Sequence, residues 1–255
     1  MSSRTPLIAG NWKMYKTVPE ALETAEQLKE AVIDISGREI VISPPYVCLF
    51  PVAVALKGSN IVVAGQNVFW EDEGAYTGEV SPGMLKSAGC AYTIIGHSER
   101  RQYFGETNET VNKKIKMSIA AGLTCIVCIG ELLEERETGR TFAVLETQLS
   151  EGLDGISAPQ MAAVVIAYEP VWAIGTGKTA TTAQAEEAHR FIRSRIEHAY
   201  GSEVSGTTRI LYGGSVKPDN IDQLMAEEDV DGVLVGGASL KVESFSRIVH
   251  FVVLG

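Results

Sequence analysis

The chain has 255 residues, with 22 Lys+Arg against 32 Asp+Glu, a formal net charge of −10, 45% hydrophobic and 21% charged residues. That is globular rather than disordered composition, and the length suits either two small domains or one α/β barrel of about 250 residues. The acidic balance argues against nucleic acid or an anionic membrane as partner. No apolar run approaches the roughly 18 residues of a membrane span, and the opening residues lack the basic region and long apolar stretch of a secretory signal, so the expected location is the cytoplasm.

Short β-branched runs alternate with helical patterns from end to end. A first strand, Pro6–Gly10, ends in Asn11, Trp12 and Lys13. Val18, Leu22, Ala25, Leu28, Val32 and Ile35 then recur at three- and four-residue steps, one face of a helix. Thr17 and Glu20 form a capping box ahead of it, with Pro19 in the first turn. Strands follow at Glu39–Ser43 and Ile61–Gln66, and a fourth, Tyr92–Ile95, ends in Gly96, His97, Ser98, Glu99, Arg100 and Arg101. The fifth, Leu123–Ile129, contains Cys125 and Cys128 at the spacing of a redox or zinc CxxC. In a strand, residues three apart point to opposite faces, and no second cysteine or histidine pair completes a metal site, so these read as small buried hydrophobes.

The sixth strand, Ala163–Tyr168, ends in Glu169 and Pro170. The segment Gly175, Thr176, Gly177, Lys178, Thr179 looks like a nucleotide P-loop, but position 172 is Trp where that pattern needs Gly. Pro170 to Ala180 reads instead as a mobile flap with a small-residue tip, attached directly to Glu169 and suited to excluding water. Ala188, Ile192, Ile196 and Ala199 mark another amphipathic helix behind a Thr181–Gln184 capping box. The seventh strand, Arg209–Tyr212, ends in Gly213, Gly214 and Ser215; the eighth, Gly232–Val235, ends in Gly236 and Gly237; a last helix is expected from about Lys241 to Val253.

Strand–helix alternation implies a parallel sheet with right-handed crossovers. Most strands are apolar on both faces, as strands covered on both sides are, and eight of them suit a closed (β/α)8 barrel, with an open doubly wound sheet as the alternative. No compositional break marks a linker, so the expectation is one domain over 1–255. Either architecture places ligands beyond the carboxyl ends of the strands. Each polar residue there has an ordinary structural reading: a solvated Lys13, a satisfied His97, a salt-bridged Glu169 or Glu99. A barrel, however, gathers them on one rim. Burial against the apolar sixth strand would raise the Glu169 pKa and make it a plausible base. The glycine pairs after the seventh and eighth strands fall where barrels commonly build a phosphate site from backbone amides.

The motifs AGNWKM at Ala9–Met14, GAYTGE at Gly74–Glu79, IIGHSERR at Ile94–Arg101, AYEPVWAIGTGKTA at Ala167–Ala180, LYGGSVKP at Leu211–Pro218 and GVLVGGASL at Gly232–Leu240 together resemble the triosephosphate isomerase family over essentially the full length. The resemblance implies a single TIM barrel that interconverts dihydroxyacetone phosphate and D-glyceraldehyde 3-phosphate through an enediolate, in glycolysis and gluconeogenesis, with neither metal nor organic cofactor. It implies Glu169 as general base and His97 as a neutral electrophile, the family's established acid–base pattern. Lys13 and Asn11 would bind substrate and stabilise the enediolate, with Glu99 counted among the catalytic groups, while Gly175, Ser215, Gly236 and Gly237 would hold the phosphate. It further implies a homodimer in which Thr77 approaches the partner's Asn11 and Lys13, and Glu79 or Glu99 pairs with Arg101. Two other readings share the scaffold: another phosphate-binding barrel enzyme, such as a lyase or sugar-phosphate epimerase, and a non-catalytic phosphate-ligand module.

Overall fold

A computed structural model of the chain describes residues 4–174 and 180–252. Its strands are β1 (Leu7–Asn11), β2 (Glu39–Ser43), β3 (Ile61–Gly65), β4 (Cys90–Ile95), β5 (Thr124–Ile129), β6 (Val164–Tyr168), β7 (Ile210–Tyr212) and β8 (Gly232–Val235). They pair in sequence order, all parallel, and β8 closes on β1 through Leu7↔Gly232 and Ile8↔Val233. The doubly wound alternative is thereby excluded. At the closing seam Gly232 has φ +149°, and a Cβ there would lie 2.0 Å from the Leu7 carbonyl oxygen, so only glycine lets the two strands meet.

Alternation along the strands sorts the core into two layers. Leu7, Ala9, Val41, Ile94, Ile126, Val165, Leu211 and Leu234 pack together in one cluster, which alternation places inside the barrel. Ile8, Ile40, Ile42, Ile166, Ile210 and Val233 join the second cluster, which takes in the surrounding helices. Cys125 belongs to the second layer and Cys128 to the first, so the two sulfurs do face opposite ways. Both are buried free thiols, and among the described residues no His, Cys, Asp and Glu side chains gather in threes as metal ligands.

The helix Val18–Ala31 begins at the Thr17–Glu20 capping box, where the Glu20 carboxylate accepts the Thr17 amide at 2.7 Å. It stops earlier than its apolar stripe: Val32 is the C-cap, and Ile35 packs on the core from the turn beyond. The helix Thr182–Tyr200 starts at Thr181, whose hydroxyl accepts the Gln184 amide. The last helix is shorter than its sequence pattern suggested, Val242–Val249 rather than about Lys241 to Val253. The helix ends where Arg38 fastens the segment, donating to the carbonyls of Val249 and Phe251 and stacking on the Phe251 ring at 3.8 Å. At the amino-terminal rim, Arg209 pairs with Glu39 at 2.5 Å and Tyr92 donates to the same carboxylate at 2.6 Å. No described helix is long and apolar enough to cross a membrane.

Candidate active site

The opposite rim carries a cavity of about 370 Å³ lined by Asn11, Lys13, His97, Glu169, Ser215, Gly236 and Gly237, among others. Five different strands deliver these residues, as the convergence argument requires. Gly175 and the flap tip 175–179 lie outside the described residues. Of the flap's described parts, Ile174 lines the cavity, Val171–Ala173 forms a single 3₁₀ turn, and Ala180 leads into the Thr181 cap.

His97 caps the helix Ser98–Tyr103: its Nδ1 accepts the Glu99 amide at 3.3 Å. The proton of a neutral ring is thus left on Nε2, the nitrogen that lies 2.9 Å from Glu169 Oε1. The other oxygen, Oε2, accepts the Ser98 amide at 2.9 Å. Both side chains are buried, His97 at 6% and Glu169 at 2% exposure.

The electrostatics differ from the expectation that burial lifts the Glu169 pKa. Burial does push it up, but the facing His97, the Ser98 amide and Lys13 outweigh that and hold the carboxyl below its ordinary value. The converse holds for His97: burial works against its charge, yet the Glu169 carboxylate wins and moves its pKa up. At 2.9 Å each group favours the charged form of the other.

Lys13 sits in a left-handed backbone conformation, φ +52°, which costs of order 1–3 kcal/mol for a non-glycine residue and persists only where neighbours fix it. Here Asn11 Oδ1 accepts its amide at 3.0 Å, Gln66 Nε2 donates to its carbonyl at 2.8 Å, and its ammonium pairs with Glu99 at 2.5 Å. The same Gln66 amide group reaches the Ser43 carbonyl at 2.8 Å, tying the first loop to the end of β2. Glu99 therefore stands behind Lys13 and His97 rather than in the cavity lining.

The glycines do more than expose amides. A Cβ on Gly213 would lie 2.9 Å from Glu169 Cγ, and one on Gly214 would meet the Tyr212 hydroxyl at 2.2 Å and Pro170 Cγ at 3.0 Å. This pair is required for packing around the carboxylate. Gly236 approaches Lys13 Cε at 3.3 Å, whereas Gly237 faces open space and is the freer of the two to meet a ligand.

Thr77 and Glu79 lie on an exposed segment that does not line the cavity. Arg101 pairs with neither Glu79 nor Glu99 within the chain, since Glu99 is taken by Lys13. Its guanidinium donates to the Gly96 carbonyl at 2.9 Å and to Asn108 Oδ1 at 2.7 Å, and no carboxylate lies within 4 Å of it among the described residues.

Three contributors escaped the sequence reading. Gln66 has been described. Gly130 lets the backbone of Glu169 pass, since a Cβ there would overlap the Glu169 carbonyl oxygen at 1.7 Å. Glu131 is fully buried and accepts from Tyr168 at 3.1 Å and from the Trp172 indole at 2.9 Å, fastening the amino-terminal end of the flap. The signal was available: Gly130–Glu131 and Gln66 end the fifth and third strands just as His97 and Glu169 follow the fourth and sixth.

Sequence comparison identifies the family. The profile of the triosephosphate isomerase family matches residues 6–252. The protein named triosephosphate isomerase from Geotalea uraniireducens is 59% identical over 248 residues, covering 97% of this chain and 99% of that protein. The namesake from Citrifermentans bemidjiense is 57% identical with the same coverage, and that from Caldanaerobacter subterraneus subsp. tengcongensis is 54% identical, with 97% of this chain and all of that protein covered. An eight-stranded barrel with a lysine, a histidine and a glutamate converging on one glycine-walled cavity, matched from end to end by such relatives, belongs to the triosephosphate isomerase family.

Proposed function

We propose that this chain, acting as one catalytic domain, interconverts dihydroxyacetone phosphate and D-glyceraldehyde 3-phosphate by proton transfer through an enediolate, a step of glycolysis and gluconeogenesis. The observation that carries the reading is the pair His97 Nε2 and Glu169 Oε1, 2.9 Å apart in a cavity that also holds Lys13 and two glycine loops. An acid–base pair at that spacing serves a carbonyl oxygen and the carbon beside it once substrate lies between the two groups.

Backbone amides of Gly236, Gly237 and Ser215, with the Ser215 side chain and Gly175, hold the phosphate. Asn11 and Lys13 face the carbonyl end, and Lys13 stabilises the negative oxygen of the enediolate. Glu169 takes the proton from the carbon next to the carbonyl and returns it to the neighbouring carbon, while His97 donates from Nε2 to the substrate oxygen. Substrate also resets both pKa values. By separating His97 from Glu169 it removes the main influence that lowers the carboxyl, so burial raises it toward a useful base. It removes the main influence that raises the imidazole, leaving burial, Lys13 and the Glu99 amide to favour the neutral ring against the Glu99 carboxylate. Flap closure dries the site and keeps the phosphate near the enediolate plane, hindering its elimination.

A homodimer completes this reading. The connections after β1, β2 and β3 expose Met14, Phe50 and Met84 at 94%, 62% and 53%, an apolar display unusual for a monomer rim. Arg101 has no carboxylate within 4 Å among the described residues, and the exposed Thr77–Glu79 loop of a partner supplies one. The location that fits is the cytoplasm. The test is a coupled assay with D-glyceraldehyde 3-phosphate in the presence of a metal chelator. Robust turnover supports the reading, and inactivity of well-folded protein points to a lyase, an epimerase or a binding module instead.

A further inference from the structure

The charges around the cavity nearly cancel. Lys13 is committed to Glu99 at 2.5 Å, and Glu169 faces His97 at 2.9 Å, while the chain as a whole carries −10. A phosphate ester arrives with a charge of about −1.5 to −2 at pH 7, so its approach needs a positive charge that is not already spent. Among the described residues lining the cavity, Lys217 is that charge. It is exposed and takes part in no ion pair with another described residue. Its loop is braced: the Lys217 amide donates to Asn220 Oδ1 at 2.8 Å, and Asn220 Nδ2 donates to the Ser215 carbonyl at 2.9 Å. The backbone that carries this cation is therefore held two residues from Ser215, in a cavity that the glycine loop 236–237 also lines.

We propose that Lys217 is the entry residue of the site, whose ammonium draws the phosphate end of the substrate into the cavity and takes no part in proton transfer. This rests on the reading that the cavity takes a phosphate ester. A cation at the mouth of a cleft raises the encounter rate and the initial affinity for an anion in a salt-dependent way, because a charge in solvent is screened over about 8 Å at physiological ionic strength and about 30 Å at 0.01 M. It leaves the chemical step alone, so the loss appears in kcat/KM rather than kcat.

The experiment compares wild type with Lys217→Gln, Lys217→Glu and Lys217→Arg in the coupled assay from 0.01 M to 0.5 M ionic strength, alongside calorimetric binding of inorganic phosphate. Lys217→Gln is expected to lower kcat/KM about three- to tenfold at 0.01 M, with kcat within twofold and the difference vanishing at 0.5 M. Lys217→Glu deepens the loss and Lys217→Arg restores it. Equal kcat/KM at low salt, a loss independent of salt, or failure of arginine to rescue overturns the proposal. If wild-type protein shows no turnover, the isomerase reading falls, and the phosphate titration alone decides Lys217: weaker binding in Lys217→Gln at low salt supports it, and unchanged binding refutes it.

Discussion

Replacing Gly213 with alanine tests whether the position of the Glu169 carboxylate, rather than its mere presence, sets the rate. The new methyl group would stand 2.9 Å from Glu169 Cγ and 3.2 Å from the Tyr168 carbonyl oxygen. Carbon atoms rest comfortably at about 3.5–4.0 Å, so roughly 0.6–1 Å must be found. The carbonyl belongs to β6 and cannot yield, which leaves the Glu169 side chain to move. Displacing a reacting group by about 1 Å costs on the order of 10²-fold, and overpacking costs about 1–3 kcal/mol of stability. The assay is kcat and KM with D-glyceraldehyde 3-phosphate, with phosphate affinity by calorimetry and unfolding by circular dichroism. The expected result is a kcat lowered about 30- to 100-fold, phosphate affinity within threefold, and a protein still folded at 25 °C. Gly206→Ala is the control: its Cβ meets nothing within 4 Å inside the helix Ser202–Thr207, so stability rises by about 0.5–1 kcal/mol and turnover stays the same. A Gly213→Ala protein that is folded and turns over within threefold of wild type would refute the reasoning.

Other outcomes follow from the same geometry. In the free protein His97 should titrate above its ordinary value, near 6.5, and in Glu169→Gln lower than in wild type, because the carboxylate that outweighs burial is gone and only Glu99 still opposes it; nitrogen-15 NMR of the ring reads this, and an unchanged midpoint would contradict the pairing of His97 with Glu169. The sign for stability is fixed as well: the raised histidine contributes fully below its ordinary pKa and loses that contribution as pH climbs through the shifted value, while the lowered carboxyl contributes above its ordinary value and loses it as pH falls through the shifted one. Arg209→Met removes the partner of Glu39 at the far rim and should cost about 1–3 kcal/mol with kcat/KM unaltered; a large kinetic effect would mean that the two rims are coupled. All four cysteines should resist Ellman's reagent at pH 8 in the native protein, since each is buried and burial pushes Cys125 and Cys90 up to about 12; rapid reaction of any would show that its site opens. Arg101→Met should raise the dissociation constant of the proposed homodimer by tenfold or more in sedimentation equilibrium, and no shift would remove Arg101 from the proposed interface.

Much of this molecule was legible in one dimension because a parallel barrel writes its plan locally. Glu39–Ser43 and Gly232–Val235 are apolar on both faces, and each is observed with the bounds its sequence indicates. Capping boxes at Thr17 and Thr181 started helices where they should. The site was legible because strand ends converge by topology alone. What stayed hidden depends on distances between segments far apart in the chain. Gln66 and Lys13 meet across 53 residues, and nothing in either motif announces the contact. The direction of the Glu169 pKa turned on a histidine 72 positions away outweighing burial. The last helix ended early because Arg38, from the far end of the chain, captured its carbonyls.

In the proposed reaction Glu169 moves a proton between adjacent carbons. The most direct measurement is turnover of dihydroxyacetone phosphate in heavy water, with the D-glyceraldehyde 3-phosphate formed trapped and read by proton NMR. The product is expected to carry solvent deuterium at the carbon next to the aldehyde, and the Glu169→Gln protein to bind inorganic phosphate normally while forming product at least about 10²-fold more slowly. Product free of deuterium, which a direct hydride shift would give, or a Glu169→Gln protein of normal turnover, would contradict it.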